Sequence, residues 1–243
     1  MDYSKVLVEV YEVLQHLSEK DLAKIPEDVI NEIRKNKEVL CYITEADKVL
    51  KEMGFTEHSL PHVETCVSVV TKILTGLSYS EEEINLAQIA AFMHDIGNVI
   101  NRVDHAQSGA IMSFRILDKL GMDSESVSKI INAIGNHDES TAQPVSAISA
   151  ALILADKSDV RRSRVRQLKA SDFDIHDRVN YAVTNKEVDF DGKEFKLSLT
   201  IDLSICSIMN YFEIFLGRML MCKRAAEKLG LKFKLIINEQ EII

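Results

Sequence analysis

The sequence predicts a mostly α-helical fold that ends in a small α+β appendage. Three observations carry this expectation. Apolar residues recur at steps of three and four over most of the first 170 positions, the period of helices packed by one face. Only three prolines and nine glycines punctuate 243 residues, too few for the turns of a many-stranded sandwich. After about residue 185 an alternating pattern takes over, broken at Asp191-Gly192, a dipeptide suited to a hairpin turn.

Residues 1–40 read as an N-terminal helical arm. Val6, Val10, Val13, Leu14 and Leu17 share a helical face, and Pro26 suits the first turn of a second helix through Asn31 and Ile33. Residues 41–185 form the helical body. Thr44 to Asp47 opens a helix that ends near Gly54, and another starts at Pro61-His62 and runs to Gly76. The next begins at Ser80, with Glu83 in the capping-box position, and ends at His94-Asp95-Ile96-Gly97. Further helices are expected over residues 106–120, 124–134 and 145–159. Residues 186–243 form the appendage, read as strand, strand, helix, strand. Its strands fall at 187–190, 195–201 and 232–237, and its helix at 204–229.

Composition narrows the function. A net charge of -9 argues against nucleic acid and anionic membrane as general partners, since both attract a basic field. Cys41, Cys66, Cys206 and Cys222 form no close pair, so they read as reduced thiols and not as a disulfide framework. The start resembles no signal peptide, and no stretch approaches ~20 apolar residues. A soluble cytoplasmic protein is expected.

Chemistry gathers in the helical body. The pair His94-Asp95 closes the apolar run Ile89-Ala90-Ala91-Phe92-Met93. A carboxylate there is costly without a partner, and a cation would offset that cost. Neighbouring helical residues point about 100° apart, so His and Asp can approach one ion from two sides. His62 stands at the start of one helix and Asp156 inside another apolar stretch, Ile153-Leu154-Ala155-Asp156. Imidazole and carboxylate together suit divalent Mn, Fe, Zn or Co.

This order of His62, His94-Asp95 and Asp156 resembles the HD superfamily of metal-dependent phosphohydrolases. The phrases His58-Ser59-Leu60-Pro61-His62-Val63, His94-Asp95-Ile96-Gly97 and Ala155-Asp156-Lys157 carry the likeness, which covers roughly residues 50 to 165. It implies an HD-type helical bundle. Asp104-His105-Ala106 and Asn136-His137-Asp138 match the extra ligands of the two-metal branch. By resemblance, His62, His94, Asp95 and Asp156 hold one ion, and Asp95 bridges to a second held by His105 and His137. The implied cofactor is one or two divalent ions (Fe, Mn, Mg, Co, Ni or Zn). The implied reaction is cleavage of a phosphoester, of a nucleotide or related small phosphate compound, by a metal-activated hydroxide. The same ligands also suit a di-iron oxygenase, and a third reading is a non-catalytic nucleotide sensor.

Three departures stand out. Asn98 occupies the place where many family members carry Lys, so phosphate contact must come from elsewhere. The His doublet of some two-metal members is here Asn136-His137, and the Gly-Tyr-Pro signature of cyclic di-GMP phosphodiesterases is missing. The basic run from Arg161 to Lys169 starts five residues past Asp156. Lys157, Arg161 and Arg164 are therefore candidates for substrate phosphate, and Asp95, Lys157 and Arg161 for catalysis. The run reads equally as a solvated face or a salt-bridge site, with Asp159 orienting an Arg. Glu139 is either a proton donor or a turn carboxylate, and His58 either faces the site or lies in an exposed loop. Cys66 reads as core. The edges of the appendage sheet suit pairing with a second copy, so a homodimer is an expectation.

Overall fold

Two apolar helical stretches of the sequence, ending at Met93 and at Lys157, become the centre of the fold. The computed structural model describes residues 29–139, 141–167 and 173–243. Of the arm expected over residues 1–40, the first 28 residues, with His16, lie outside the described residues. Helices α1 (Val29–Lys35), α2 (Lys37–Glu52), α3 (Leu60–Gly76) and α4 (Glu81–Met93) lead to a 3-10 turn at Ile96–Val99. Then come α5 (His105–Lys119), α6 (Ser124–Gly135) and α7 (Ala147–Lys157), a second 3-10 turn at Arg162–Arg164, and α8 (Ile175–Ala182). The chain closes with β1 (Val183–Phe190), β2 (Glu194–Ile201), α9 (Ile208–Lys228), β3 (Lys232–Ile237) and β4 (Gln240–Glu241). The fold is mostly α with a small C-terminal sheet, as the sequence predicts.

Helix α7 is buried at every position from Ile148 to Lys157, and α4 is buried at seven of its last eight. A helix apolar on all sides must be covered on all sides. Helices α3, α6 and α7 pack around α4, so the end of α4, carrying His94 and Asp95, is surrounded by protein. No helix among the described residues is long and apolar enough to cross a membrane.

Several boundaries shift for local reasons. The helix expected to open at Thr44 starts at Lys37, because Asn36 caps it and accepts from the amides of Glu38 and Val39 at 2.9 and 3.2 Å. The capping box expected at Ser80 and Glu83 forms. The helix expected to reach residue 159 stops at Lys157, and the backbone turns away at Ser158. Arg161 and Arg164 are thus not on the helix of Asp156, and the helical spacing that linked them to it does not apply.

Strands β1 and β2 pair antiparallel around the Asp191-Gly192 turn, where Gly192 takes a φ of +86°, a conformation that side chains disfavour. Helix α9 then returns the chain so that β3 lies parallel to β2, and the short β4, absent from the sequence-based expectation, pairs antiparallel with β3. Tyr211, Phe215, Met219, Cys222, Ala225 and Ala226 form the buried stripe of α9, at steps of three and four with Ala226 adjoining Ala225. Full burial of each large member contributes about 1.5–3 kcal/mol. That stripe meets α7 on one side and Phe233, Leu235 and Ile237 of β3 on the other. One continuous apolar core joins the helical body to the sheet.

Candidate metal centre

Four imidazoles converge below the end of α4. His62 comes from the first turn of α3, His94 from the cap of α4, His105 from the start of α5 and His137 from just past α6. All four are buried, with exposures of 0–1%. Each has its Nδ1 engaged by the protein. His94, His105 and His137 bond the carbonyls of Ala91 (2.8 Å), Arg102 (2.9 Å) and Ile134 (2.6 Å), and His62 bonds Asp159 Oδ2 (2.8 Å). A carbonyl acceptor places the ring proton on Nδ1 and leaves the Nε2 lone pair turned inward, the tautomer a metal ligand requires.

The Nε2 atoms and two carboxylates fall into two groups. In the first, His62 Nε2 lies 3.3 Å from His94 Nε2, 3.6 Å from Asp95 Oδ2 and 3.4 Å from Asp156 Oδ1. His94 Nε2 lies 3.3 Å from Asp95 Oδ2 and 3.9 Å from Asp156 Oδ1. In the second, His105 Nε2 and His137 Nε2 are 3.2 Å apart, and they stand 3.6 and 3.8 Å from Asp95 Oδ1. Donors about 2.1 Å from one ion lie about 3.0 Å apart at right angles and about 4.2 Å apart when opposite. Every one of these separations falls inside that interval. Asp95 presents one carboxylate oxygen to each group. Its Oδ2 is buried without a hydrogen-bond partner, an arrangement that costs about 1–3 kcal/mol or more unless a ligand satisfies it. The donor set therefore fits divalent cations.

The family model of the HD domain matches residues 56–179, about half of the chain. This chain belongs to the HD-domain family. That family lies within a superfamily of metal-dependent phosphohydrolases. An uncharacterized protein of Methanocaldococcus jannaschii is 21% identical over 206 residues, spanning 75% of this chain and 79% of its own. In this HD-domain protein the matched region holds all six residues that the resemblance singled out, and the structure brings the six together.

Other candidates are placed less centrally. Lys157 is buried, and its Nζ lies 2.6 Å from Asp156 Oδ2. Arg161 donates from Nε to Asp159 (3.0 Å) and from Nη2 to Glu57 (3.1 Å). Arg164 donates to the carbonyls of Glu57 and Asp159, both at 2.8 Å. Both guanidinium groups thus sit behind His62, committed to protein acceptors. Glu139 is ion-paired with Arg218 of α9. His58 meets His62 edge-on, with ring centroids 5.4 Å apart.

Sequence reasoning offered Asp159 as a partner for an Arg but missed its role as a hub that reaches His62 and Lys186. This residue is 1% exposed and binds His62 Nδ1, Arg161 and, through Oδ1 at 2.9 Å, Lys186 of β1. Its spacing from Asp156 gave no hint of the bonds to His62 and Lys186, because these lie 97 and 27 positions away. Cys66, expected in the core, is buried there and also touches the cluster, with Sγ 3.9 Å from His62 Nε2. Asn98 is fully buried and donates from Nδ2 to Asp95 Oδ1 at 2.9 Å, so it orients the shared carboxylate.

Electrostatics follow from burial against close partners. Burial opposes charge on Asp156, but Lys157 and His62 outweigh it and hold the carboxyl well below the usual carboxylate range. Burial opposes charge on Asp159 too, and His62, Arg164 and Lys186 overcome it, again well below that range. Burial, only partly opposed by Asp95, pushes His105 down to about 4, so this ring is neutral at physiological pH.

Proposed function

We propose that this protein is a phosphohydrolase with two adjacent cation positions, acting on a small phosphorylated compound such as a nucleotide. His62, His94, Asp95 and Asp156 would hold one ion, and His105, His137 and Asp95 the other. The observation that carries this reading is the division of the Asp95 carboxylate, Oδ2 toward His62 and His94 and Oδ1 toward His105 and His137. Divalent cations at these positions would acidify water and offset charge on phosphoryl oxygens.

The chain's own residues do the rest. Asp159 and the three carbonyls hold the four rings, so the donors are positioned before any ligand arrives. Asn98 fixes the rotation of Asp95. Lys157, with its ammonium 2.6 Å from Asp156 Oδ2, keeps that carboxylate ionised. Arg161 and Arg164 are assigned to holding Asp159 in place. Without them a buried carboxylate would face His62 with less of its charge offset.

The test is anaerobic purification with metal analysis, then a screen of phosphomonoesters and phosphodiesters with Mn or Fe. Phosphoester cleavage under anaerobiosis, lost together with metal in His94→Ala and Asp95→Ala, is the expected result. Oxygen uptake coupled to substrate cleavage would replace this reading with an oxygenase on the same ligands. Tight nucleotide binding without turnover across several metals would replace it with a sensor.

A further inference from the structure

Asn98 puts a carboxamide and not a cation beside Asp95, and a cation approaches that carboxamide from the next turn. Arg102 follows Asn98 by four residues and precedes His105 by three. Its Nη1 lies 3.3 Å from Asn98 Oδ1 and 3.2 Å from His105 Nε2. Its Nη2 lies 3.7 Å from Asp138 Oδ1, and its Cζ stands 5.6 Å from the centre of the Phe55 ring. The side chain is 22% exposed, so the guanidinium sits at the boundary between cluster and solvent.

The other cations near the cluster are committed. Lys157 is 5% exposed and pairs with Asp156, while Arg161 and Arg164 bond Asp159 and Glu57. Arg102 differs from all three. Its contacts at hydrogen-bond distance are a carboxamide oxygen and an imidazole nitrogen, and its nearest carboxylate oxygen stands beyond that distance. A guanidinium offers five N–H donors in a planar fork. Asp138 offsets part of the charge across 3.7 Å, but several of the five donors have no acceptor at hydrogen-bond distance among the described residues, and the face of Phe55 restricts where the fork can point.

We propose that Arg102 is the substrate-binding residue that takes a phosphate group at the His105–His137 side of the site. The proposal rests on the phosphohydrolase reading and names the contact by which that site would hold its substrate. His105 Nε2 has one lone pair, so the guanidinium and a metal ion cannot both use it. Filling the second cation position therefore frees Nη1 for an anion, and the protein exchanges a resting contact for a ligand contact. Phosphate is the chemistry that suits a planar fork next to cations.

The experiment measures inorganic phosphate binding to the Mn-loaded protein by calorimetry, and separately titrates Mn into metal-free protein. Arg102→Gln keeps a polar side chain and removes the charge, and Arg102→Lys restores the charge without the fork. The expected result is phosphate affinity weakened about tenfold or more in Arg102→Gln, partly recovered in Arg102→Lys. Mn at the second position should bind as tightly or more tightly in Arg102→Gln, since a competing cation is gone. Phosphate affinity within twofold of wild type in Arg102→Gln would overturn the proposal. So would loss of Mn in that variant, which would make Arg102 a structural support of the ligands. Absence of phosphate binding to Mn-loaded wild type would remove the phosphohydrolase reading as well. Wild-type turnover with unaltered phosphate binding in Arg102→Gln would remove this inference alone.

Discussion

Gly97 follows the His94-Asp95 pair by two residues, and replacing it with alanine should uncouple the two halves of the metal centre. A Cβ built on Gly97 would meet the His105 carbonyl oxygen at 2.0 Å and the Gly109 amide nitrogen at 2.4 Å. Ordinary carbon contacts begin at about 3.4 Å, so the turn and the start of α5 must separate by about 1.4 Å along the first contact. Both obstacles are backbone, and no side-chain rotation relieves them. Metal sites tolerate ligand displacements of only about 0.2 Å. His105 moves with α5, whereas Asp95 belongs to the turn, so the second group loses its spacing first. Overpacking of this kind costs about 1–3 kcal/mol, here at the upper end. Metal analysis of Gly97→Ala should show fewer ions per chain than wild type, with His62, His94 and Asp156 still binding. Thermal melting should show a drop of at least several degrees. A variant that binds the same complement of metal and melts with wild type would refute the close-approach argument.

Three other outcomes are expected. Asp159→Asn should weaken metal binding by about 10- to 100-fold, because the carboxylate that orients His62 becomes an amide; calorimetric titration of metal-free protein reads this directly. Chelation should lower the melting temperature. Metal at about 100 times its dissociation constant adds about 2.7 kcal/mol, or about 5–10 °C for a chain of this size. The third concerns acid. His105 is held at about 4 in the fold by burial, whereas the unfolded chain takes the proton near the ordinary value of about 6.5. Its pKa is depressed on folding, so its contribution to stability is present above pH 6.5 and is lost as pH falls toward 4. Urea unfolding of metal-free wild type and His105→Gln should diverge across that window, by up to about 1.4 kcal/mol per pH unit. Parallel profiles would show that His105 is not buried neutral.

The sequence by itself determined that the body is helical and which residues could ligate metal. Two apolar stretches each carried carboxylate chemistry, His94-Asp95 at the end of one and Asp156 within the other. Local periods and caps are short-range properties, so helix order, the Asp-Gly hairpin and the capping box at Ser80 were readable from spacing alone. Helix ends were read less well, because a single side-chain bond such as that of Asn36 to the Glu38 amide moves them by several residues. Only the tertiary structure decided what each candidate faces. The basic run read equally as a phosphate contact, a solvated face or a salt-bridge site; the chain turns at Ser158 and sends Arg161 and Arg164 to Asp159 and Glu57. Asp159 took its meaning from His62 and Lys186, and Arg102 from the way α5 folds back against the turn that carries Gly97. Spacing specifies a face of one helix, whereas a binding site is made by faces that different helices turn toward each other. Those contacts join residues up to about a hundred positions apart, and no local pattern encodes them.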